Sequence, residues 1–236
     1  MAHVRLSSKT VGGGLAIGAG LAALGYAGLV AYHRLRYGQE MMAVNDDSLL
    51  LDRFIPKPEV VEHHRVRIAA PADIVMSTAR SLELLDSRMI RTIFKLRELA
   101  LGGQPDERRH PAALLPQMQS IGWVVLAERA GREIVLGAVT RPWEASPVFR
   151  SVPAGEFAAF REPGYVKIAW TIRADPAGQN ESTFHTETRV ATTDEETRKR
   201  FQTYWSFVAP GVELIRLAML RPLKKAAEKS AARAAA

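Results

Sequence analysis

The chain has no cysteine among its 236 residues. Disulfides, thiolate nucleophiles and cysteine-ligated zinc are excluded by that alone. The absence does not choose between cytosol and exterior, because a domain of this size folds without covalent staples. Motifs of established chemistry are missing too. No glycine-rich phosphate loop, nucleophile elbow or HExxH occurs, so no catalytic residue, metal ligand or cofactor is assigned. One-signed charge is scarce over most of the length. The net charge is +7, with +3 held in residues 1–40 and +4 in all the rest. That second excess gathers near the C-terminus, at Arg221, Lys224, Lys225, Lys229 and Arg233. A basic, alanine-rich tail suits an anionic membrane surface. With no nucleic-acid motif beside it, nucleic acid is not an expected partner.

What is present is an ordinary globular composition, 47% hydrophobic and 24% charged, enough for one sizeable core plus an appendage. The appendage is N-terminal. Residues 11–32, VGGGLAIGAGLAALGYAGLVAY, carry no charge and have basic residues on both flanks. At about 1.5 Å per residue the run reaches the roughly 30 Å of a bilayer core. A signal peptide cleaved near Gly25-Tyr26-Ala27 is the alternative. The run continues through Leu29, Val30 and Ala31 to Arg34, which favours a single-pass transmembrane helix. The side on which the remaining chain lies is left open, since Arg5 and Lys9 oppose Arg34 and Arg36.

The expected division is a short basic tail at 1–10, an anchor at 11–33, a juxtamembrane linker at 34–58, a folded domain at 59–221 and a basic helical tail at 222–236. In the folded domain a strand over 60–69 puts Glu62, His64, Val66 and Ile68 on one parity and His63, Arg65 and Arg67 on the other. Pro71 opens a helix carrying Ile74, Val75, Ala79 and Leu82. A second helix follows Asp86, with Arg88, Arg91, Lys95 and Arg97 on its wet face. It ends at Gly102-Gly103. Residues 104–118 read as a loop with one turn at 112–115. A hairpin of SIGWVVLAE and REIVLGAVT turns at Arg129-Ala130-Gly131. A strand at 155–160 follows, then YVKIAWTIRA, a turn over 175–181, and FHTETRV. Thr193 and Glu196 suggest a capping box for a final helix. Its Phe201, Tyr204, Trp205, Val208, Val212, Ile215 and Met219 keep one spacing through Pro210-Gly211, so one long helix kinked at proline is expected.

This order, with VRIAAPADIV opening the domain and TETRVATTDEETRKRFQTYW closing it, resembles the helix-grip SRPBCC superfamily of START-like, polyketide-cyclase-like and related proteins, and within it an uncharacterised bacterial branch. The resemblance covers about residues 59–221. It implies an α+β fold, a curved antiparallel sheet wrapped around a long C-terminal helix, with a hydrophobic cavity between them for a small apolar ligand.

Candidate ligand-binding residues are His64, Trp170, Phe184, Thr186, Thr188, Phe201, Tyr204 and Trp205, each also readable as plain core. His185 and Glu187 alternate out of phase with Phe184 and Val190. They are expected on a wet charged face, with Lys167 and Arg173 as cross-strand partners. The first functional expectation is a non-enzymatic, membrane-tethered container for a lipid, isoprenoid or polyketide-like molecule. The competing classes are a cyclase or aromatase using the same cavity, with His64 or Tyr204 moving protons, and an interaction domain filled by its own side chains. Truncation after Lys225 is expected to spare the fold.

Overall fold

The computed structural model of the protein describes residues 24–37, 49–83, 102 and 113–235. The described elements are α1 (residues 24–36), α2 (Leu49–Asp52), β1 (Val60–Ile68), α3 (Ala72–Ser81), α4 (Leu114–Ser120), β2 (Val124–Arg129), β3 (Glu133–Thr140), α5 (Ala154–Phe157), β4 (Val166–Gly178), β5 (Glu181–Thr192) and α6 (Glu195–Ala234). The second helix expected after Asp86 lies outside the described residues. So do residues 11–23 of the expected anchor. Among the described residues no helix is long and apolar enough to cross a membrane.

The five strands form one antiparallel sheet in the order β1-β5-β4-β3-β2. The β2–β3 hairpin turns at Gly131, whose φ of 67° is comfortable only without a Cβ. The long helix lies along one face, which places it in the grip of the sheet. That inner face carries Val60, Ile68, Ile134, Leu136, Val166, Trp170, Ile172, Phe184 and Val190, buried against α3 and α6. Two-residue alternation sets this parity in every strand. The helix-grip order read from the sequence is therefore present.

The opposite, outer face departs from expectation. It is covered, and His185, Glu187, Lys167 and Arg173 are all buried. Part of the cover comes from the stretch expected to be linker. Leu51, Phe54 and Ile55 pack on Val135, Val139 and Ala169 together with Val152 and Phe157. Residues 49–55 are thus part of the domain. Gly137 leaves room for its neighbours, since a Cβ there would lie 2.3 Å from Leu126 Cδ1 of β2 and 3.0 Å from Phe157 Cε2.

Other differences have local causes. Residues 154–157 form a helical turn instead of a strand, because the amides of Glu156 and Phe157 bond the Pro153 carbonyl and so bury the Phe157 ring. Residues 114–120, expected mostly as loop, are helical, with Pro116 in the first turn where a missing N–H costs nothing. The β4–β5 turn is tighter than the expected 175–181, since pairing continues to Gly178↔Glu181. The cap of α6 is Asp194, which accepts from Thr197 N at 2.8 Å and Gly164 N at 2.7 Å. Thr193 Oγ1 instead donates to the Tyr165 carbonyl at 2.9 Å.

The helix α6 runs unbroken through Pro210 and Pro222. It also stays inside the fold beyond 221, with Leu223 and Ala227 fully buried. Glu228 accepts from Ala69 N at 3.1 Å, and Lys224 donates to Arg67 O at 2.6 Å. The last turns therefore pack as a wall of the domain.

Candidate functional site

The space between sheet and α6 has two halves. Near the helix N-terminus it is filled. Phe201 and Trp205 are buried among Val60, Val166, Val190 and Ala209, with Tyr204 and Tyr37 at the margin. Their ring centroids lie 5.9–6.1 Å apart around Phe201. These rings dominate packing there. Three of the sequence-predicted binding residues, Phe201, Tyr204 and Trp205, thus form one aromatic cluster.

Further along the helix a second apolar cluster surrounds a small void. A void of about 10 Å³ is lined by Leu82, Leu114, Ile172, Phe184, Met219 and Leu223, with Thr186 and Arg216 also at its wall. Such a void holds about one water. Phe184 is therefore a wall of this void.

The remaining candidates gather around Thr186 and Arg216. Register pairs Glu62 with Thr188 and His64 with Thr186 across β1 and β5, and Thr188 with Trp170 across β4. The Trp170 indole N–H donates to Thr186 Oγ1 at 2.7 Å. Arg216 Nη2 donates to Thr188 Oγ1 at 2.8 Å, and its guanidinium lies 4.6 Å from the centre of the Trp170 ring. That stacking is a cation–π contact in a partly desolvated place. His64 Nε2 is buried without a hydrogen-bond partner and lies 3.9 Å from Glu62 Oε2.

Burial shapes the ionisation of this cluster. It pushes the Glu62 carboxyl up to about 7, helped by Glu213 and opposed by Arg216 and Arg36. Burial, followed by the Arg216 charge, lowers His64 below the ordinary histidine range, against the pull of Glu213. Arg216 is pushed down to about 10 by burial, with Glu62 opposing, and stays a cation at neutral pH. The arrangement can therefore hold an anion at Arg216, or move a proton at Glu62.

Arg216 and Glu62 are absent from the sequence-predicted set, yet both left a signal. Positions 205, 209, 212, 216, 219 and 223 recur every three or four residues along the buried side of α6, so Arg216 is a charge on an apolar stripe. Glu62 shares the parity of His64 and Val66. His63 has the opposite parity and sits on the outer face, its ring centroid 5.7 Å from that of His185.

The outer-face charges pair among themselves. Arg189 Nε bonds Glu187 Oε1 at 2.6 Å and its Nη1 reaches the Ile55 carbonyl at 3.2 Å and Asp52. Asp175 lies 2.8 Å from Arg173 and 3.5 Å from His185. Among the described residues no cluster of histidine and carboxylate side chains is suited to a metal ion.

No family model matches the chain, and no curated protein does. Among solved structures it is similar to a point mutant of norcoclaurine synthase from Thalictrum flavum in complex with a transition-state analogue, at 12% identity and a TM-score of 0.33, over 75% of this chain and 96% of that one. It is similar to the Zhui aromatase/cyclase from Streptomyces sp. R1128, at 15% identity and a TM-score of 0.28, over 72% and 94%. CalU16 from Micromonospora echinospora is similar at 14% identity and a TM-score of 0.26, over 73% and 86%.

Proposed function

We propose that this protein is a membrane-tethered container, without catalytic activity, for a small hydrophobic molecule held between the sheet and α6. The carrying observation is the contrast within that space: aromatic rings pack one half, whereas the other keeps a small apolar-walled void with Arg216 among its lining residues. Met219 and Leu220 are unbranched at Cβ and can re-pack to admit a lipid, isoprenoid or polyketide-like ligand. Mass spectrometry of small molecules that co-purify with the full chain tests this. A reproducible apolar molecule supports it, and a protein that carries and binds none moves the reading to an interaction domain.

The tether rests on the uncharged run at 11–32 and on two exposed surfaces. Leu24, Tyr26, Leu29 and Tyr32 of α1 are exposed, and so are Phe207, Leu214 and Leu217 of α6. The second set lies on the side of α6 away from the sheet, between Arg200 and the pair Arg221 and Lys225. An apolar stripe with basic flanks suits the bilayer interface. Tyr26 OH donates to the Phe207 carbonyl, which joins the two surfaces. The full chain is expected to resist carbonate extraction. Because the chain has no cysteine, single cysteines at 214 or 217 in liposome-bound protein can carry a polarity-sensitive label. A lipid-like signal supports this surface, and clean carbonate release would sink the tether.

A second reading, a cyclase- or aromatase-type enzyme, draws on Glu62. A buried carboxyl pushed up to about 7 beside a neutral imidazole is poised for proton transfer. Recovery of a chemically changed ligand after incubation, lost in Glu62→Gln, would favour it.

A further inference from the structure

Arg216 is an unusual residue to find on the buried side of a core helix. Its guanidinium has five donors in a planar fork. Thr188 Oγ1 takes one of them, and Trp170 covers one face of the plane. Glu62 attracts it, yet no carboxylate of the described residues forms an ion pair with it within 4.0 Å. Among the described residues the buried Nε2 of His64 has no hydrogen-bond partner, with Glu62 Oε2 3.9 Å away. Arg216 also lines the apolar void, so the charge and the apolar walls of Leu82, Leu114 and Met219 meet at one place.

We propose that the ligand of this gap is an amphipathic acid, whose carboxylate is held by Arg216 and whose apolar part lies against Leu82, Leu114 and Met219. The proposal rests on the container reading and names the ligand's chemistry. A partly buried cation is costly unless an anion meets it, and a guanidinium meets a carboxylate through two parallel N–H bonds. Thr188 holds the fork from the sheet side, and Trp170 fixes its plane. The His64 Nε2 can supply one further bond to the bound group. A neutral apolar ligand would leave these groups unsatisfied.

The same cluster gives the binding a pH dependence. Glu62 faces Arg216 from β1, with His64 on the same strand, Glu213 on α6 and Arg36 on α1. While Glu62 is protonated, the Arg216 charge is available to the ligand. As pH rises through about 7 the Glu62 carboxylate competes for that charge. Affinity for an acid should therefore fall between pH 6 and pH 8.

The test titrates the full chain in zwitterionic nanodiscs with dodecanoic acid, dodecanol and dodecylamine, reading tryptophan fluorescence against empty nanodiscs. The expected result is an acid preference of at least about tenfold over the alcohol, with the amine weakest. In Arg216→Gln the ratio of acid to alcohol affinity should collapse to about one. Arg216→Lys, which keeps the charge, should restore part of it, and circular dichroism checks that each variant is folded. Equal affinity for acid and alcohol in the unaltered chain overturns the acid assignment while leaving the container standing. An acid preference that survives Arg216→Gln in a folded protein also overturns it. No saturable response to any of the three removes the container reading and this proposal together.

Discussion

The two faces of the sheet are made by the same strands and are both buried, yet they solve burial in opposite ways. The inner face is apolar over most of its area, with its polar groups gathered around one cation at the edge of a void. The outer face buries Glu133, Arg173, His185, Glu187 and Arg189, with Arg189 bonded to Glu187 and Arg173 to the partly exposed Asp175. Buried charges that pair locally hold a structure together. Arg216 on the inner face is partly buried and forms no ion pair with a carboxylate of the described residues. The difference separates a structural network from a candidate site, although both contain histidine, carboxylate and arginine.

The largest expected effect breaks the outer network. Arg189→Ala leaves Glu187 buried without its 2.6 Å partner and frees the Ile55 carbonyl. It should destabilise the fold by about 3–5 kcal/mol. Replacing Arg189 by Met and Glu187 by Leu together should cost much less, because no lone charge remains. Denaturant unfolding of the single and double variants checks this, and equal losses in both would show that packing, not charge pairing, governs the outer face.

Glu62 sharpens the contrast from the inner side. Its folded pKa of about 7 lies above the ordinary 4.5, so the folded state binds the proton more tightly than the unfolded one. That contribution is fully present below about pH 4.5 and is lost as pH rises through 7. Glu62→Gln should flatten this fall and stabilise the protein above pH 7 by about 2–3 kcal/mol, at about 1.36 kcal/mol per unit. The check is thermal unfolding from pH 5 to pH 8.5. A variant that tracks the unaltered chain at every pH would place Glu62 in water.

The inner face was the legible one. Alternation in β1, β4 and β5 places Val66, Trp170 and Phe184 on one face, and the 3.6-residue spacing of α6 brings Phe201 and Trp205 onto the same face beside Val60, Val166 and Val190. Parity says which residues share a face, but not what covers that face. The outer face reads as wet because its residues are charged, and part of its cover comes from Leu51, Phe54 and Ile55, far away in sequence and beside Pro56 and Pro58. Arg216 escaped because an arginine in a helix is ordinarily solvated, and only its place on the apolar stripe marks it. The tail misled in the same way. Alanine contributes little hydrophobic signal, yet Ala227 is fully buried.

Truncation after Lys225 tests that last point. It removes Ala227, which is fully buried, and the Glu228 carboxylate that accepts from Ala69 N. A loss of about 1–2 kcal/mol is expected from the area and the hydrogen bond. Truncation after Arg233 should cost nothing measurable. Identical unfolding curves for the two would mean that the end of α6 frays in solution.

The finest comparison replaces one threonine on each face by the isosteric valine. Thr171 Oγ1 on the outer face lies 3.1 Å from Glu133 Oε1 and 3.1 Å from the Ile134 carbonyl, with Glu133 fully buried. Thr171→Val removes a donor to a buried carboxylate and should cost about 1.5–3 kcal/mol. Thr188 on the inner face only accepts, from Arg216 at 2.8 Å. Thr188→Val should cost less, about 1 kcal/mol or below, because the guanidinium can turn toward Glu62. Its effect belongs to binding instead. Without Thr188 the fork loses its anchor on the sheet, and affinity for dodecanoic acid should fall by about 1 kcal/mol, roughly fivefold. Paired unfolding and titration of the two variants decide the matter. If Thr171→Val weakens binding as much as Thr188→Val does, the two faces are not separable and the distinction between network and site fails.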